Sequence, residues 1–328
     1  MNKHDILLKI KNLSIYYYTS EGIIKAIRNV DLELRKGEVV CIVGESGSGK
    51  STLGLAIVRA LPVNAKIMSG SIIFEGKDIL NLKEDELQTY IRKSISMVFQ
   101  DPAASLNPLF TIGEHMKDVI KNTLDIIDEK EIYEICENIL KRVGLPDPQR
   151  VFRSYPHELS GGMLQRACIA IALTSRPKLL IADEPTTMLD VTIQAQILKL
   201  LKELKREVGL SMLFITHNLG IASEIADRIV IMYAGKILEE GLVEEIFKNP
   251  LHPYTIKLLE TIPRITKKMP RIKEIPGMLP DLRNPPHGCP FVERCEFAKP
   301  ECSISMPKFI EITPTHKVAC YNYYNGNA

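Results

Sequence analysis

The run Gly44-Glu45-Ser46-Gly47-Ser48-Gly49-Lys50-Ser51 decides how the rest of this chain is read. It satisfies the phosphate-binding pattern G-x-x-x-x-G-K-[ST] at every fixed position. Val39-Val40-Cys41-Ile42-Val43 before it is a short apolar strand signal, and Thr52 to Val58 after it reads as a buried helix. Strand, glycine loop and helix are the context the motif requires. The glycines let the backbone curl so that successive N–H groups point inward at an anion. The helix N-terminus adds the positive end of its dipole. Gly44, Glu45, Ser46, Gly47, Ser48, Gly49, Lys50, Ser51 and Thr52 are therefore the expected phosphate cradle. Lys50 can reach β- and γ-phosphates, and the Ser51 hydroxyl can ligate Mg²⁺.

With 328 residues there is room for one large domain and a smaller one. The charged fraction of 25% and hydrophobic fraction of 45% are those of a globular protein. A net charge of +2 gives no reason to expect nucleic acid as a partner. No apolar run approaches the roughly 18 residues of a membrane-spanning helix. Met1 to Asp5 lacks a signal-peptide pattern, so a reducing cytosol is expected and the seven cysteines are not presumed to form disulfides. Cys41, Cys136 and Cys168 sit in apolar stretches and read as packing residues.

Upstream of the loop, Leu7–Tyr18, Ile23–Ile27 and Val30–Leu34 read as three strands of a small antiparallel sheet. Downstream, Gly70–Gly76 and Ile95–Phe99 are strands, and Lys83–Arg92 is a polar helix. A proline-rich loop runs from Asp101 to Pro108, and from Ile112 to Val143 the period is helical. Ser160-Gly161-Gly162 opens another helix. Lys178 to Glu184 reads as a strand with a continuous apolar run, as in a parallel sheet covered on both faces. A helix follows Asp190 and stops at Gly209; Leu210–Thr216 is a strand, and Arg228–Glu240 is a hairpin around Ala234-Gly235. Alternating strands and helices from 38 to 233 give an α/β core with a mainly parallel sheet, carrying an antiparallel β subdomain and an inserted helical subdomain at about 101–176. The expected division is a nucleotide-binding domain at 1–248 and a proline- and cysteine-containing extension at 249–328.

Several chemical groups stand at strand ends, where a parallel sheet gathers ligand contacts. Asp183 can hold Mg²⁺, and Glu184 beside it can polarise an attacking water as general base. Gln100 can bond Mg²⁺ or that water, and His217 can bond a γ-phosphate. The phosphate loop, Gln100, Leu159-Ser160-Gly161-Gly162-Met163-Leu164-Gln165-Arg166, Leu180 to Pro185, Leu189-Asp190 and His217 together resemble the nucleotide-binding subunit of an ABC transporter. The L-S-G-G segment is the specific signal. The resemblance covers about residues 6–250.

That resemblance implies an ATPase that uses Mg²⁺. It implies that Ser160, Gly161 and Gly162 cap the γ-phosphate of ATP bound by a second ATPase subunit, so that nucleotide is sandwiched across a dimer. Tyr17 aligns with the aromatic residue stacking on adenine, with Tyr18 next in line if the register slips by one. Asp190 belongs to a loop crossing the dimer interface. Asp101 to Met116 would receive a separate membrane subunit. Two departures are mild: Met163 stands where glutamine is commoner, and Met188 where a small residue is commoner.

Asn249 to Thr255, Ile275 to Pro280 and Pro286 to Phe291 with Arg294-Cys295 resemble the C-terminal extension of oligopeptide and dipeptide importers. Members of that subgroup take peptides, nickel or oligosaccharides. Such a subunit works peripherally at the cytoplasmic face of the membrane, with two permeases and an extracellular solute-binding protein. Cys289, Cys295, Cys302 and Cys320 are spaced C-x5-C-x6-C-x17-C, looser than usual zinc pairs. Some members of the subgroup carry a [4Fe–4S] cluster here. The residues leave a cluster, zinc and free or packed thiols open. His252 and His287 read as loop or packing residues. A soluble ABC protein acting on DNA or the ribosome is the rival class. Ribosome-acting members usually carry two cassettes per chain, and only some sixty residues separate Gln100 from Ser160, too few for a repair protein's coiled coil. A cysteine-based redox or metal sensor is a third reading.

Overall fold

The computed structural model describes residues 6–187, 189–262 and 275–324; Met188 lies outside them. Two compact units form, one from residues 1–80 and 214–328, the other from 81–213.

The first unit begins with β1 (Ile6–Thr19), β2 (Gly22–Arg35), β3 (Val39–Val43), α1 (Lys50–Ile57), β4 (Ala65–Phe74) and the two-residue β5 (Lys77–Asp78). β2, β1, β4 and β5 make a four-stranded antiparallel sheet in that order. Its buried face carries Leu8, Ile10, Leu13, Ile15, Leu32, Leu34, Ile72 and Phe74. Alternation of apolar and polar residues puts these on one side of the pleat. One expectation is corrected here. Ile23–Ile27 and Val30–Leu34 are a single strand, β2, not two. Asn29 lets the chain pass without a turn: it adopts φ 50°, and its N–H donates to Ser14 Oγ while its Oδ1 accepts from the same hydroxyl. The result is a bulge inside one strand, with register shifts in its pairing to β1.

The second unit holds α2 (Glu84–Ser94), β6 (Ile95–Val98), α3 (Pro102–Ser105), α4 (Ile112–Thr123), α5 (Glu129–Arg142), α6 (Pro148–Arg153), α7 (Gly161–Thr174), β7 (Leu179–Asp183) and α8 (Val191–Val208). β6 and β7 are parallel, Met97 opposite Ile181, and every residue of β7 is buried. The long helical stretch divides in two because the sequence supplies two starts. Thr111 and Glu114 form a reciprocal capping box before α4, and Asp128 caps α5. Cys136 and Cys168 are buried, and burial pushes both thiols up to about 11, in keeping with packing roles.

β8 (Ser211–Thr216) spans the boundary between units, and the chain continues through α9 (Leu219–Ile225), β9 (Arg228–Tyr233), β10 (Lys236–Leu242), α10 (Val243–Lys248), α11 (Pro253–Glu260), α12 (Pro300–Ile304), β11 (Ile310–Thr313) and β12 (His316–Val318). In the first unit β9 runs parallel to β3, with Cys41 opposite Ile229. β10 is antiparallel to β9, and the C-terminal strands β12 and β11 extend the same edge. Glu239 fastens this edge to the extension. It is fully buried, and its carboxylate accepts from the Leu251 and His252 N–H groups at 2.9 and 2.7 Å, with His316 Nε2 at 2.8 Å. A buried carboxylate so supplied with donors is stable where an unpaired one would not be.

Candidate functional site

The phosphate loop leaves β3 and enters α1 with no room to spare. A Cβ on Gly44 would lie 2.0 Å from the Met232 carbonyl oxygen, so only glycine fits against β9. Gly49 sits at φ 101° immediately before α1, a conformation that glycine adopts without penalty. The turn after β9 pins the loop from outside, the Gly235 N–H donating to the Ser48 carbonyl at 2.9 Å. Lys50 is buried, and its Nζ donates to the carbonyls of Gly44 and Glu45 at 2.8 and 2.9 Å. The lysine is thus folded along the inner edge of the loop, where an incoming phosphate would compete for its protons. Tyr17 belongs here too: its hydroxyl lies 3.1 Å from Thr52 Oγ1 at the start of α1. Ser46 and Gly47 are exposed, whereas the Ser48 side chain is buried. His217, at the end of β8, is exposed and precedes Asn218, whose side chain caps α9.

The second unit brings two expected residues together. Gln100 Nε2 donates to Glu184 Oε2 at 3.3 Å. Thr187 Oγ1 donates to the same oxygen at 2.9 Å, and the Thr187 N–H to the Glu184 carbonyl at 3.1 Å. Glu184 itself adopts φ 46°, a left-handed conformation costly for a residue with a side chain. Glu184 follows the end of β7, next in the chain to buried Asp183. Thr187 escaped the reading of the sequence; an i, i+3 hydroxyl after an acidic pair was the available signal.

Ser160 caps α7, its Oγ accepting from the Met163 N–H at 3.4 Å. Gly161 has nothing within 4 Å of where a Cβ would stand, so this helix start is open to a ligand. Gly162 packs tightly, its absent Cβ leaving room for Ile193 of α8. Asp190 caps α8, Oδ1 accepting from the Ile193 N–H at 2.9 Å, and is exposed.

In the first unit Ser51 offers a hydroxyl; in the second, Asp183 offers a carboxylate and Gln100 an amide oxygen. Each is an oxygen donor of the kind Mg²⁺, a hard cation, prefers. The cysteine expectation requires correction. Among the described residues no three His, Cys, Asp or Glu side chains are grouped so as to hold a metal ion, so neither a [4Fe–4S] cluster nor zinc is supported. Cys289, Cys295, Cys302 and Cys320 are free thiols. Burial pushes Cys289 up to about 12 and raises Cys295 and Cys320. Cys302 instead accepts the Lys299 N–H at the start of α12, and Cys289 Sγ lies 3.9 Å from His252 Nε2. Burial lowers His252 to about 4, which keeps the imidazole neutral in this packing.

Residues 27–187 match the ABC transporter family model, and residues 238–302 match the C-terminal region of oligopeptide/dipeptide transporters. The dimeric ATP-binding cassette MJ0796, solved in a post-hydrolysis state with ADP and Pi, superposes with TM-score 0.66 at 33% identity, covering 72% of this chain and 99% of that one. The cbiO1 protein of Clostridium perfringens, part of the ABC transporter complex cbiONQ, gives 0.64 at 32%, covering 75% of this chain and 92% of that one. Fold and site therefore define an ATP-hydrolysing cassette with Mg²⁺ as its metal. More particularly, the chain belongs to the ATP-binding proteins of ABC transporters that carry the oligopeptide/dipeptide C-terminal region. It is 45% identical to the oligopeptide transport ATP-binding protein OppD of Escherichia coli, over 97% of this chain and 93% of that protein. It is 44% identical to the dipeptide transport ATP-binding protein DppD of Lactococcus lactis, over 94% of this chain and 89% of that protein.

Proposed function

We propose that this chain powers peptide uptake, hydrolysing ATP beneath two permeases that receive solute from an extracellular binding protein. The observation carrying the proposal is that likeness to peptide-transport relatives runs through the extension as well as the cassette. No helix among the described residues is long and apolar enough to cross a membrane, which favours peripheral attachment at the cytoplasmic face. The ATPase sandwich forms with a paralogue or a second copy.

Lys50 and the loop N–H groups bind the β- and γ-phosphates; Ser51, Gln100 and Asp183 would hold Mg²⁺, which would neutralise charge on the phosphates. Tyr17 stacks on adenine, and His217 bonds the γ-phosphate. Ser160, Gly161 and Gly162 of one subunit close on ATP held by the other, with Asp190 at that interface. Glu184 takes a proton from water as its oxygen attacks the γ-phosphorus and the bond to the β-phosphate oxygen breaks, giving ADP and phosphate. Gln100 and Thr187 orient the carboxylate that receives the proton. The experiment is reconstitution with the neighbouring permeases and binding protein in liposomes. ATP-dependent accumulation of labelled peptide, abolished by Lys50→Ala, is expected. Accumulation of nickel or an oligosaccharide in place of peptide overturns the solute assignment and leaves the ATPase standing.

A further inference from the structure

The second residue of the phosphate loop, Glu45, is held by two residues of the C-terminal extension. Arg294 Nη1 donates to both oxygens of the Glu45 carboxylate, at 3.0 and 2.9 Å. The Glu45 N–H donates to Tyr254 Oη at 3.0 Å. The third polar group of Glu45, its carbonyl, accepts from Lys50 Nζ. One loop residue therefore links the extension to the lysine that reaches for phosphate.

Both grips are built rather than incidental. The Arg294 side chain is only 5% exposed. Its Nε donates to the Pro276 carbonyl at 2.8 Å and its Nη2 to the Ile275 carbonyl at 2.9 Å, while Tyr233 Oη lies 3.0 Å from the same Nη1 that holds Glu45. A guanidinium with this many fixed acceptors is pre-organised and loses little entropy in holding one more. Tyr254 is fully buried against Tyr233 and Phe291, ring centroids 4.7 and 5.2 Å away. Tyr233 ends β9, whose Met232 carbonyl closes over Gly44. On the loop's outer side, Leu279 of the extension lies 3.8 Å from where a Cβ of Gly47 would stand. The extension also reaches His217, lining with Leu258, Thr261 and Ile262 a cavity of about 180 Å³ that His217 shares.

We infer that the extension is a brace for the nucleotide site, with Arg294 and Tyr254 positioning the phosphate loop for ATP through Glu45. The inference rests on the loop being the ATP site. A surface ion pair would contribute little, but this one is shielded and charge-assisted, and it fixes the backbone whose carbonyl holds Lys50. ATP affinity consequently depends on residues 209 and 249 positions downstream of Glu45 in the loop.

The test uses the full chain in its assembled transporter, with binding of a fluorescent ATP analogue, KM and kcat for ATP, and thermal melting measured together. Arg294→Gln is expected to raise Kd and KM for ATP roughly tenfold with kcat little changed. Arg294→Lys, which keeps the charge but not the fork, restores part of the loss. Arg294→Gln combined with Glu45→Gln should be no worse than Glu45→Gln alone, the mark of one shared interaction. Lower melting temperature with ATP affinity unchanged would make the pair merely structural and overturn the brace. If Arg294→Gln does not fold, Glu45→Gln leaves the aromatic packing intact, and unchanged affinity there overturns it equally. Lys50→Ala separates the two ideas: if that variant still binds the analogue, the phosphate-loop reading itself is wrong.

Discussion

The phosphate loop and the Glu184 corner are held by opposite means. The loop is clamped on several sides: by β9 at Gly44, by the Gly235 N–H at Ser48, and by Arg294 and Tyr254 at Glu45. The Glu184 carboxylate hangs from a strained turn on contacts to Gln100 and Thr187, and Gln100 is exposed. Binding wants a surface whose shape precedes the ligand, because ordering it afterwards would subtract from affinity. The proposed proton acceptor is oriented by side-chain contacts instead, and its partner water is placed only when ATP is present. The contrast separates what binds ATP from what cleaves it, and each variant below breaks one side only.

The largest effect is expected at the strained corner. Glu184→Gln keeps the shape and an oxygen for Thr187 but cannot accept a proton. Hydrolysis should fall by about 10² to 10⁴-fold, the range for losing a general base, while ATP still binds. Phosphate-release kinetics and equilibrium binding on the same preparation check both halves. Turnover at the parental rate would remove Glu184 from the mechanism.

Much of this division was legible in the sequence, and the reason is chemical. A phosphate loop needs particular backbone freedom at fixed offsets, so Gly44, Gly49, Lys50 and Ser51 announce themselves within eight residues. Ser160 and Asp190 were legible for a similar reason, since both stand just before a helical pattern and do cap a helix. The bulged β2 was not, because a single Asn29 at positive φ looks like a break between two strands. Arg294 and Tyr254 could be seen only as marks of a subgroup. Their tie to Glu45 joins residues far apart in the chain, and no periodicity or spacing encodes such a pairing. The four cysteines within 32 positions left a shared ligand, zinc and packed thiols open, because spacing in the chain does not say which side chains meet; among the described residues no metal-holding group forms.

The helix start at Ser160 comes next in size. In the proposed dimer its N–H groups serve the nucleotide of the other subunit, so blocking them should spare binding to the isolated chain. Ser160→Arg fills the open space beside Gly161. Hydrolysis is expected to fall on the order of a hundredfold, as for losing a donor to transition-state charge, with monomer affinity unchanged. Sedimentation of the ATP-loaded Glu184→Gln background should show a dimer that Ser160→Arg abolishes.

On the binding side, Tyr17 offers a smaller, graded change. Tyr17→Ala removes both the ring and the hydroxyl near Thr52, and ATP affinity should weaken roughly tenfold, the lower end for losing a base-stacking ring. Tyr17→Phe keeps the ring and should lose about twofold to threefold, the value of one exposed hydrogen bond. Neither should alter kcat at saturating ATP. Equal losses in the two variants would mean the hydroxyl, not the ring, is what matters.

The finest test returns to the strained turn. Glu184 stays at φ 46° because its carbonyl is tied to the Thr187 N–H and its carboxylate to Thr187 Oγ1. Thr187→Ala keeps the first tie and removes the second. One net hydrogen bond of about 1 kcal/mol then stops restricting the carboxylate, so kcat should drop roughly fivefold with KM unmoved. Thr187→Ser retains the hydroxyl and should recover most of the rate. A change in KM instead, or no recovery with serine, would mean that Thr187 serves the turn's backbone rather than the orientation of the base.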